Sequence, residues 1–319
     1  MRSHYYPAVG FGIFANPKTT AARQELVYCV RRGKPLEQRH LRANAVGMKN
    51  NFYSHDEPET AEQFFQVFEQ GLKEDVQAAL SVSVSEPSRN RDLLGVLLLT
   101  QALTAFVRNP VHVNERLDDQ FNAILQAGEQ LRRRLLLGWD ERESSEDFLV
   151  RATGIDRRWI PPDERERNRL FAQIVADRWL WTVLRTPPGS SLLMSDTPVR
   201  LFQMPWGGVV WIWPLTSTAL FVATTRGDSE IRERRLTIAE VTAVNEIIVS
   251  RAFSWAISAN EIPKDQLQRI ARLWEVNEPL TSRLRSDGWY EAIPKLSKNP
   301  LTFVQPRLGS DAVWKSPST

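Results

Sequence analysis

The stretch GGVVWIWPL at residues 207–215 limits the fold more than any other part of the chain. Successive side chains of a β-strand point to opposite faces of its sheet. One face then carries Val209, Trp211 and Trp213, and the other carries Val210 and Ile212. Because both faces are apolar, this strand has to be buried on both sides, with helices packed over it.

Other segments also have the composition of strands bounded by Gly, Pro, Ser or Asp. In the C-terminal half they are SLLMSD (191–196), VRLFQ (199–203) and ALFVATT (219–225). Near the N-terminus, QELVYCVRRGKPLEQ (24–38) predicts two short strands around a turn at Arg32-Gly33-Lys34. Residues 1–16 mix aromatic residues, Gly and Pro, which predicts an irregular or short-strand segment.

Apolar residues at three- and four-residue spacing predict several helices. They cover residues 57–82, 91–110, about 112–137, 165–188 and 264–275. The second is apolar nearly all round, so we expect it to be central and buried. Thr237 and Glu240 fit a capping box that starts a further helix, with Trp255 on its apolar face.

These elements predict an α+β fold, helix-dominated, with an N-terminal β-hairpin and a C-terminal antiparallel sheet. A chain of 319 residues can form one large domain or two ordinary ones. We expect a single domain over 1–319. The charged stretch 138–168 suggests a sub-division into a mainly helical half, 1–140, and a sheet-plus-helix half, 165–319.

The composition excludes several classes of protein. Apolar residues make up 42% and charged residues 25% of the chain, as in ordinary soluble proteins. No apolar run approaches the roughly 20 residues that span a bilayer, and the N-terminus lacks the apolar core of a signal peptide. We therefore expect a cytoplasmic protein with no membrane partner. Cys29 is the only cysteine, which excludes an internal disulfide and a Cys/His zinc cluster.

The net charge of +3 is only mildly basic, and acidic residues alternate with most of the arginines. Trp139, Trp159 and the run Arg132-Arg133-Arg134 could stack on nucleic acid and neutralise it. The alternative is a solvated helix face with packing aromatic residues beside it.

Glu69 is the first candidate site residue. On a continuous helix with about 100° per residue, Glu69 falls between Val76 and Leu80 on the apolar stripe. A carboxylate there needs a partner or a changed protonation state, because burying an unpaired charge is costly. It is either an acid held in a pocket or an edge residue that reaches solvent or an arginine.

Arg108 and His4 are two further candidates. Arg108 ends an apolar helix that also carries Gln101 and Thr104, and it could bind a carboxylate or phosphate. Equally, it could be a cation favoured by the helix dipole. His4, in SHYYP, could act as a base or metal ligand, or it could simply pack the N-terminal segment onto the domain.

Asp196 lies in LLMSDTPVRLF (192–202), where an apolar segment stops and a strand follows. Asp before Thr-Pro is typical of a turn, because its carboxylate can accept backbone N–H bonds. Alternatively, the strand end presents the carboxylate to a site at the sheet rim. Phosphate loops, nucleotide-binding fingerprints and the common hydrolase motifs are absent from the sequence.

The order of several segments resembles a bacterial family known as domain of unknown function 4238. The segments are SHYYPAVGFGIFA, NNFYS, FFQVFEQ, FVRNP, LLMSDTPV, WIWPLTSTALFVAT and VNEIIVSRAFSWAIS, and they span roughly residues 3–260. The resemblance transfers the family's motif positions to His4, Tyr5, Pro7, Phe52, Tyr53, Glu69, Arg108, Ser195, Asp196 and Pro198. Two departures are AVGFGIF, where the family has a basic residue, and Asn109, where it has Thr.

Two hypotheses follow for the function. In the first, the protein is a metal-dependent hydrolase, most plausibly a nuclease. Glu69 and Asp196 would hold a divalent metal, His4 would act as base and Arg108 would bind phosphate. Tyr5, Tyr53 and Ser195 would bind substrate beside them.

In the second hypothesis, the protein is a non-enzymatic module that binds protein or nucleic acid, and the motif residues form a structural polar network. Eleven tryptophans favour this hypothesis. It predicts an exposed apolar patch around Trp206, Trp211 and Trp213. The sequence leaves the oligomeric state undetermined.

Overall fold

The computed structural model describes residues 2–4, 6–46, 48–50, 71–81, 89–107, 132–140, 142–204, 206–277 and 301–307. For residues 2–4, 48–50, 89, 90, 107, 132, 134 and 135 it describes the backbone alone. All structural statements below concern these residues.

In the described chain, most helices lie in the middle and near the end, and six strands follow one another between residues 179 and 231. The helices are α1 (Ala8–Ala15), α2 (Leu72–Ser81), α3 (Arg89–Val107), α4 (Ser145–Thr153), α5 (Glu164–Arg178), α6 (Ile238–Ser250) and α7 (Lys264–Val276). Short 3-10 turns lie at Ala22–Gln24, Ala43–Ala45 and Arg157–Trp159, and a π-helical turn lies at Arg132–Leu137. The strands are β1 (Arg2–His4), β2 (Leu26–Arg31), β3 (Lys34–Arg42), β4 (Met48–Asn50), β5 (Trp179–Arg185), β6 (Met194–Ser195), β7 (Arg200–Gln203), β8 (Val209–Thr216), β9 (Ala219–Thr225), β10 (Ser229–Ile231), β11 (Trp255–Ser258) and β12 (Val304–Pro306).

The C-terminal antiparallel sheet has the strand order β5-β9-β8-β7. Its inner strand β8 contains the apolar segment VVWIWPL. All eight residues of β8 are buried, which confirms that both of its faces are covered. On one face, Phe106 of α3 packs edge-on against Trp211, with ring centroids 6.0 Å apart. On the other face, Arg200 of β7 lies opposite Ile212 and reaches the carbonyl oxygen of Ile248 in α6. Helices therefore pack on both sides of this sheet.

The predicted N-terminal hairpin is confirmed, and it belongs to a second antiparallel sheet of order β3-β2-β11-β6. Gly33 has a φ of +90° at the hairpin turn, a conformation that glycine adopts without steric cost. One face of this sheet buries Cys29 and Ile257 in the main core, while Val30 on the other face packs in a smaller cluster with Trp274 of α7. The hairpin is thus fixed by strands from the far end of the chain.

A short C-terminal segment, 301–307, is part of the same body. Its strand β12 pairs with β10, and Phe303 is fully buried in the main core. The hydroxyl of Thr302 donates a hydrogen bond to Glu240, which also completes the predicted capping box with Thr237. The capping box at the start of α6 is therefore confirmed, and it also holds this segment.

The prediction of an irregular or short-strand segment for residues 1–16 agrees with the short strand β1 but is wrong for residues 8–15, which form the buried helix α1. A Cβ on Gly12 would lie 1.8 Å from the carbonyl oxygen of Ala22, and one on Gly10 would lie 2.4 Å from the Tyr6 ring. Glycine has low helix propensity, so local sequence argues against a helix here. Close packing against Tyr6 and Ala22 outweighs that propensity.

The helix predicted for 165–188 is also wrong in its second half. Helix α5 ends at Arg178, and residues 179–185 form β5, which pairs along its whole length with β9. The Trp, Thr and Val residues of WLWTVLR favour a strand, and tertiary pairing decides between the two structures. Similarly, α6 ends at Ser250, and Trp255 lies in β11 and not on that helix.

The prediction of one continuous helix over 57–82 fails at Gly71. Its φ is +86°, outside the α-helical region, and α2 begins only at Leu72. The helical-wheel argument for Glu69 assumed unbroken helix through residue 71. The angle calculated between Glu69 and Val76 therefore no longer follows.

The α+β class with antiparallel sheets is confirmed. Helix α3 forms over Arg89–Val107, but the expectation that it is buried all round is wrong, because Leu93 and Leu97 are exposed on one side. The charged region after residue 138 contains the short helices expected there. Of the helices in the described chain, none is long and apolar enough to cross a membrane.

Candidate functional site

The structure covers the predicted site residues unequally. The backbone of His4 pairs with Met48 between β1 and β4, but its side chain lies outside the description. Predicted site residues that lie outside the described residues are Tyr5, Tyr53, Glu69 and Arg108. Ser195 and Asp196 are described in full, so the convergence of the whole set stays a prediction.

Neighbours of His4 and Arg108 contact one face of the same strand. Tyr6, two residues after His4, accepts a hydrogen bond from the indole Nε1 of Trp213 at 3.2 Å. Phe106, two residues before Arg108, packs on Trp211. Trp211 and Trp213 are alternate residues of β8 and share a face.

Asp196 directly follows β6 and is completely buried. Its Oδ1 accepts the backbone N–H of Phe253 at 3.0 Å, and its Oδ2 accepts that of Ser254 at 2.7 Å. Its own N–H donates to the carbonyl oxygen of Trp255 at 3.2 Å. Ser195 contributes to the turn, since its hydroxyl accepts the N–H of Thr197 at 3.3 Å. The carboxylate therefore joins the β6–β7 turn to the loop between α6 and β11.

Burial raises the pKa of Asp196 to about 7. The backbone N–H donors and the positive charge of Arg200 act in the opposite direction and favour the ionised form. The charge of Asp196 in turn acts on Arg32, whose pKa is lowered by burial and held up by this carboxylate. Asp196 thus interacts electrostatically with two arginines that are not among the predicted site residues.

Both arginines donate to backbone carbonyl groups at the C-terminal end of α6. Arg200 is fully buried and donates to the carbonyl oxygens of Thr197, Val199 and Ile248. Arg32 donates to the carbonyl oxygens of Ser250 and Asn277, each at 2.9 Å, and lies 5.5 Å from the Trp274 ring centroid. A charged residue within the apolar strand VRLFQ was the available signal for Arg200. Nothing in the local sequence distinguishes Arg32 from an ordinary turn residue.

A metal site is not assembled from the described residues, among which no group of three His, Cys, Asp or Glu side chains could hold an ion. Both oxygens of Asp196 already accept backbone N–H bonds. Within the described chain this carboxylate has the contacts of a structural residue.

The prediction of an exposed apolar patch around Trp206, Trp211 and Trp213 is wrong, because Trp211 and Trp213 are buried. Trp206 is half-buried and donates to the hydroxyl of Ser229 at 2.9 Å. Burial against α3 and Tyr6 removes β8 from any surface.

The Trp139 region is likewise part of the core. Trp139 forms a cluster with Phe148 and Phe171, at centroid distances of 5.6 and 6.0 Å, and the two Phe rings lie 5.8 Å from each other. Arg133 lies over its ring at 4.4 Å. Trp159 differs, with 75% of its surface exposed.

A concentration of positive charge lies on the β2–β3 hairpin and the residues leading into it, 23–42, here called the hairpin surface. It contains six Lys or Arg and two Glu, a net charge of +4, whereas the whole chain has +3 and the remainder therefore −1. Its exposed cations are Arg23, Arg31, Lys34, Arg39 and Arg42. The net charge of the whole chain therefore does not reveal the positive charge of residues 23–42.

Two further features characterise the hairpin surface. Glu37 partly neutralises it, lying 3.0 Å from the Lys34 amine and 4.0 Å from the Arg39 guanidinium. The rings of Tyr28 and His40 stack face to face across the two strands, with centroids 4.2 Å apart and planes 10° from parallel. The surface thus combines cations with an ordered, partly exposed aromatic pair.

The family model described as "Protein of unknown function (DUF4238)" matches residues 2–261. The chain belongs to this family. No curated protein and no solved structure matches it.

The match to the DUF4238 family covers the hairpin surface, the Asp196 turn and β11, but ends before α7. Trp274, over which Arg32 lies, is therefore beyond the family match. The contacts of Asp196 with residues 253 and 254 all lie within it.

Proposed function

We propose that this DUF4238 protein is a nucleic-acid-binding module that contacts phosphates through the hairpin surface. The observation that supports the proposal is the net charge of +4 on residues 23–42 of a chain that is otherwise slightly acidic. Arg31, Lys34, Arg39 and Arg42 are exposed there, with Arg39 and Arg42 on opposite faces of the edge strand β3. Clustered cations on one surface element are the electrostatic signature of polyanion binding.

Binding through phosphates has a quantitative consequence. Each cation that neutralises a phosphate releases a counterion, so the logarithm of the affinity falls linearly with the logarithm of salt concentration. For single strands the slope is about −0.7 per contact. Removing two contacting arginines should therefore reduce the slope by about 1.4.

The test is fluorescence anisotropy with labelled oligonucleotides between about 50 and 200 mM salt, where phosphate contacts change affinity strongly. The test variant is Arg39→Gln/Arg42→Gln. The control is Arg157→Gln/Arg158→Gln, which makes the same change in net charge at exposed arginines paired with Asp147 and Asp156. Weaker binding and a reduced slope in the test variant alone would support the proposal. Equal behaviour of both variants, or no binding by the wild type, would overturn it.

Glu37→Gln gives a gain-of-binding test of the same proposal. Glu37 lies beside Lys34 and Arg39, so removing its charge frees both cations for phosphate. We expect a several-fold tighter complex at low salt that converges on the wild type at high salt, since exposed charges are screened.

A second candidate is a metal-dependent nuclease with His4, Glu69, Arg108 and Asp196 at its centre. The raised pKa of Asp196 favours it, because perturbed carboxyl groups are frequent at catalytic sites. In this scheme a divalent metal is held by Glu69 and Asp196. The competing proposal, that Asp196 is a structural residue, is supported by the N–H bonds to both of its oxygens.

Incubating the protein with RNA and DNA, with and without Mg²⁺ or Mn²⁺, separates the two. Metal-dependent cleavage that is lost in Glu69→Ala and in a folded Asp196→Asn would support the nuclease. Binding without cleavage would support the binding module. Both proposals include a cytoplasmic location for the protein.

A further inference from the structure

We infer that the hairpin surface binds single-stranded rather than double-stranded nucleic acid, and that one base of the ligand stacks on His40. The inference rests on the proposed function, because it assigns the class of nucleic acid that the same surface takes. It is carried by the aromatic pair on the sheet face, which is independent of the charge count.

The geometry leaves one face of the His40 ring available. Tyr28 and His40 are opposite residues of β2 and β3, and Tyr28 covers one face of the imidazole. His40 is nevertheless exposed as a residue, and the ring face that Tyr28 does not cover is the opposite one. Since β3 is the edge strand of its sheet among the described strands, that face points away from the sheet's other strands. A base placed there would become the third ring of an existing stack.

The neighbouring pair on the same sheet face fits a nucleotide as well. Leu26 and Arg42 are opposite each other and two residues along from Tyr28 and His40, so their side chains point to the same face. Leu26 is 47% exposed, and the Nη1 of Arg42 donates to the Gln24 side chain at 3.1 Å. Alternate residues of a strand lie about 6.6 Å apart, which places the Arg42 cation within reach of a phosphate flanking the stacked base.

The stacking geometry discriminates between ligands. In a duplex the base faces are covered by their neighbours, so His40 could reach only the backbone. In a single strand each base has a free face, and base–aromatic stacking beside a basic surface is the usual means of binding it. An acidic peptide would use the cations of the hairpin surface but would gain nothing from the ring face.

The experiment measures anisotropy with a labelled single-stranded oligonucleotide, as DNA and as RNA, and with a duplex of the same length. The variants are His40→Ala and His40→Phe, the second of which keeps a stacking ring. We expect the single strand to bind more tightly than the duplex. His40→Ala should weaken single-strand binding about tenfold, or about 1.4 kcal/mol, and leave the salt slope unchanged. His40→Phe should restore the affinity.

Each outcome has a distinct meaning. Equal or tighter binding of the duplex, or an unchanged affinity in His40→Ala, would overturn the stacking inference while the proposed function stands. Competition by poly-glutamate as effective as by the single strand would also overturn it. Absence of salt-dependent binding to every oligonucleotide would overturn the proposed function itself. Because His40 is exposed, circular dichroism should show that both variants fold.

Discussion

Asp196→Ala removes the side chain that accepts the backbone N–H groups of Phe253 and Ser254. Asp196 itself is fully buried, and its two donor residues are half-buried. A buried amide left without an acceptor costs about 1–3 kcal/mol. We therefore expect Asp196→Ala to lower the free energy of unfolding by about 2–6 kcal/mol.

Asp196→Asn separates the two hydrogen bonds. The amide keeps one carbonyl oxygen but turns an N–H₂ group toward the second backbone donor. It should cost about 1–3 kcal/mol, roughly half the cost of the alanine variant. The matched control is Asp163→Ala, which removes an exposed carboxylate that caps α5 through the single N–H of Arg165. It should cost about 0.5–2 kcal/mol.

Urea unfolding is the suitable assay, because eleven tryptophans give a strong fluorescence signal. Coincident transitions by fluorescence and circular dichroism would establish two-state behaviour. The measurement belongs at about pH 8, where a carboxyl group with a pKa of about 7 is mostly ionised. An alanine variant within about 0.5 kcal/mol of the wild type would refute the structural role. So would alanine and asparagine variants of equal stability.

Three further outcomes are expected. Because burial raises the pKa of Asp196 from 3.8 to about 7, the folded state holds this proton more tightly than the unfolded chain. The free energy of unfolding should then fall by up to about 1.4 kcal/mol per pH unit from about pH 4 to 7, a slope missing from Asp196→Asn in urea titrations. Gly12→Ala should lower the free energy of unfolding by about 1–3 kcal/mol in the same assay, because the added Cβ would overlap the carbonyl oxygen of Ala22. Gly227→Ala, whose added Cβ has no atom within 4 Å, should change it by less than about 0.5 kcal/mol. Burial raises the pKa of the Cys29 thiol to about 12, so iodoacetamide should label it in urea but not in the native protein; rapid native labelling would contradict its position in the core.

Local chemistry explains which elements the sequence predicts well. The hairpin around Gly33, the capping box at Thr237 and the two-faced strand β8 each depend on residues close together in the chain, and each is present. The errors lie where distant contacts outweigh local preference. Helix α1 forms despite its two glycines. The apolar spacing of α5 continues into residues 179–185 and predicts helix there, but pairing with β9 makes these residues the strand β5.

The candidate site shows the same division. The sequence predicts Asp196 as a turn residue whose carboxylate accepts backbone N–H bonds, but not that the donors lie more than fifty residues away. The wheel argument for Glu69 failed because Gly71 has a positive φ, which is incompatible with a continuous helix through that residue. An isolated glycine in a helical pattern does not by itself predict that conformation. The hairpin surface could have been found by counting charge in windows. The stack of Tyr28 on His40 depends on strand register, which the sequence does not fix to one residue.

The sheet that carries the hairpin surface has a consequence for the order of events in folding. β2 pairs on one side with its neighbour β3 and on the other with β11. In the second pairing Arg31 lies opposite Trp255, although most of the chain separates the two residues in sequence. Closing so long a loop is entropically costly and slow. During synthesis the hairpin would leave the ribosome early and wait, with the inner edge of β2 unpaired, until Trp255–Ser258 emerged. The stack of Tyr28 on His40 lies within the hairpin and would be in place early, whereas the support of β2 on its other side is completed only when β11 docks.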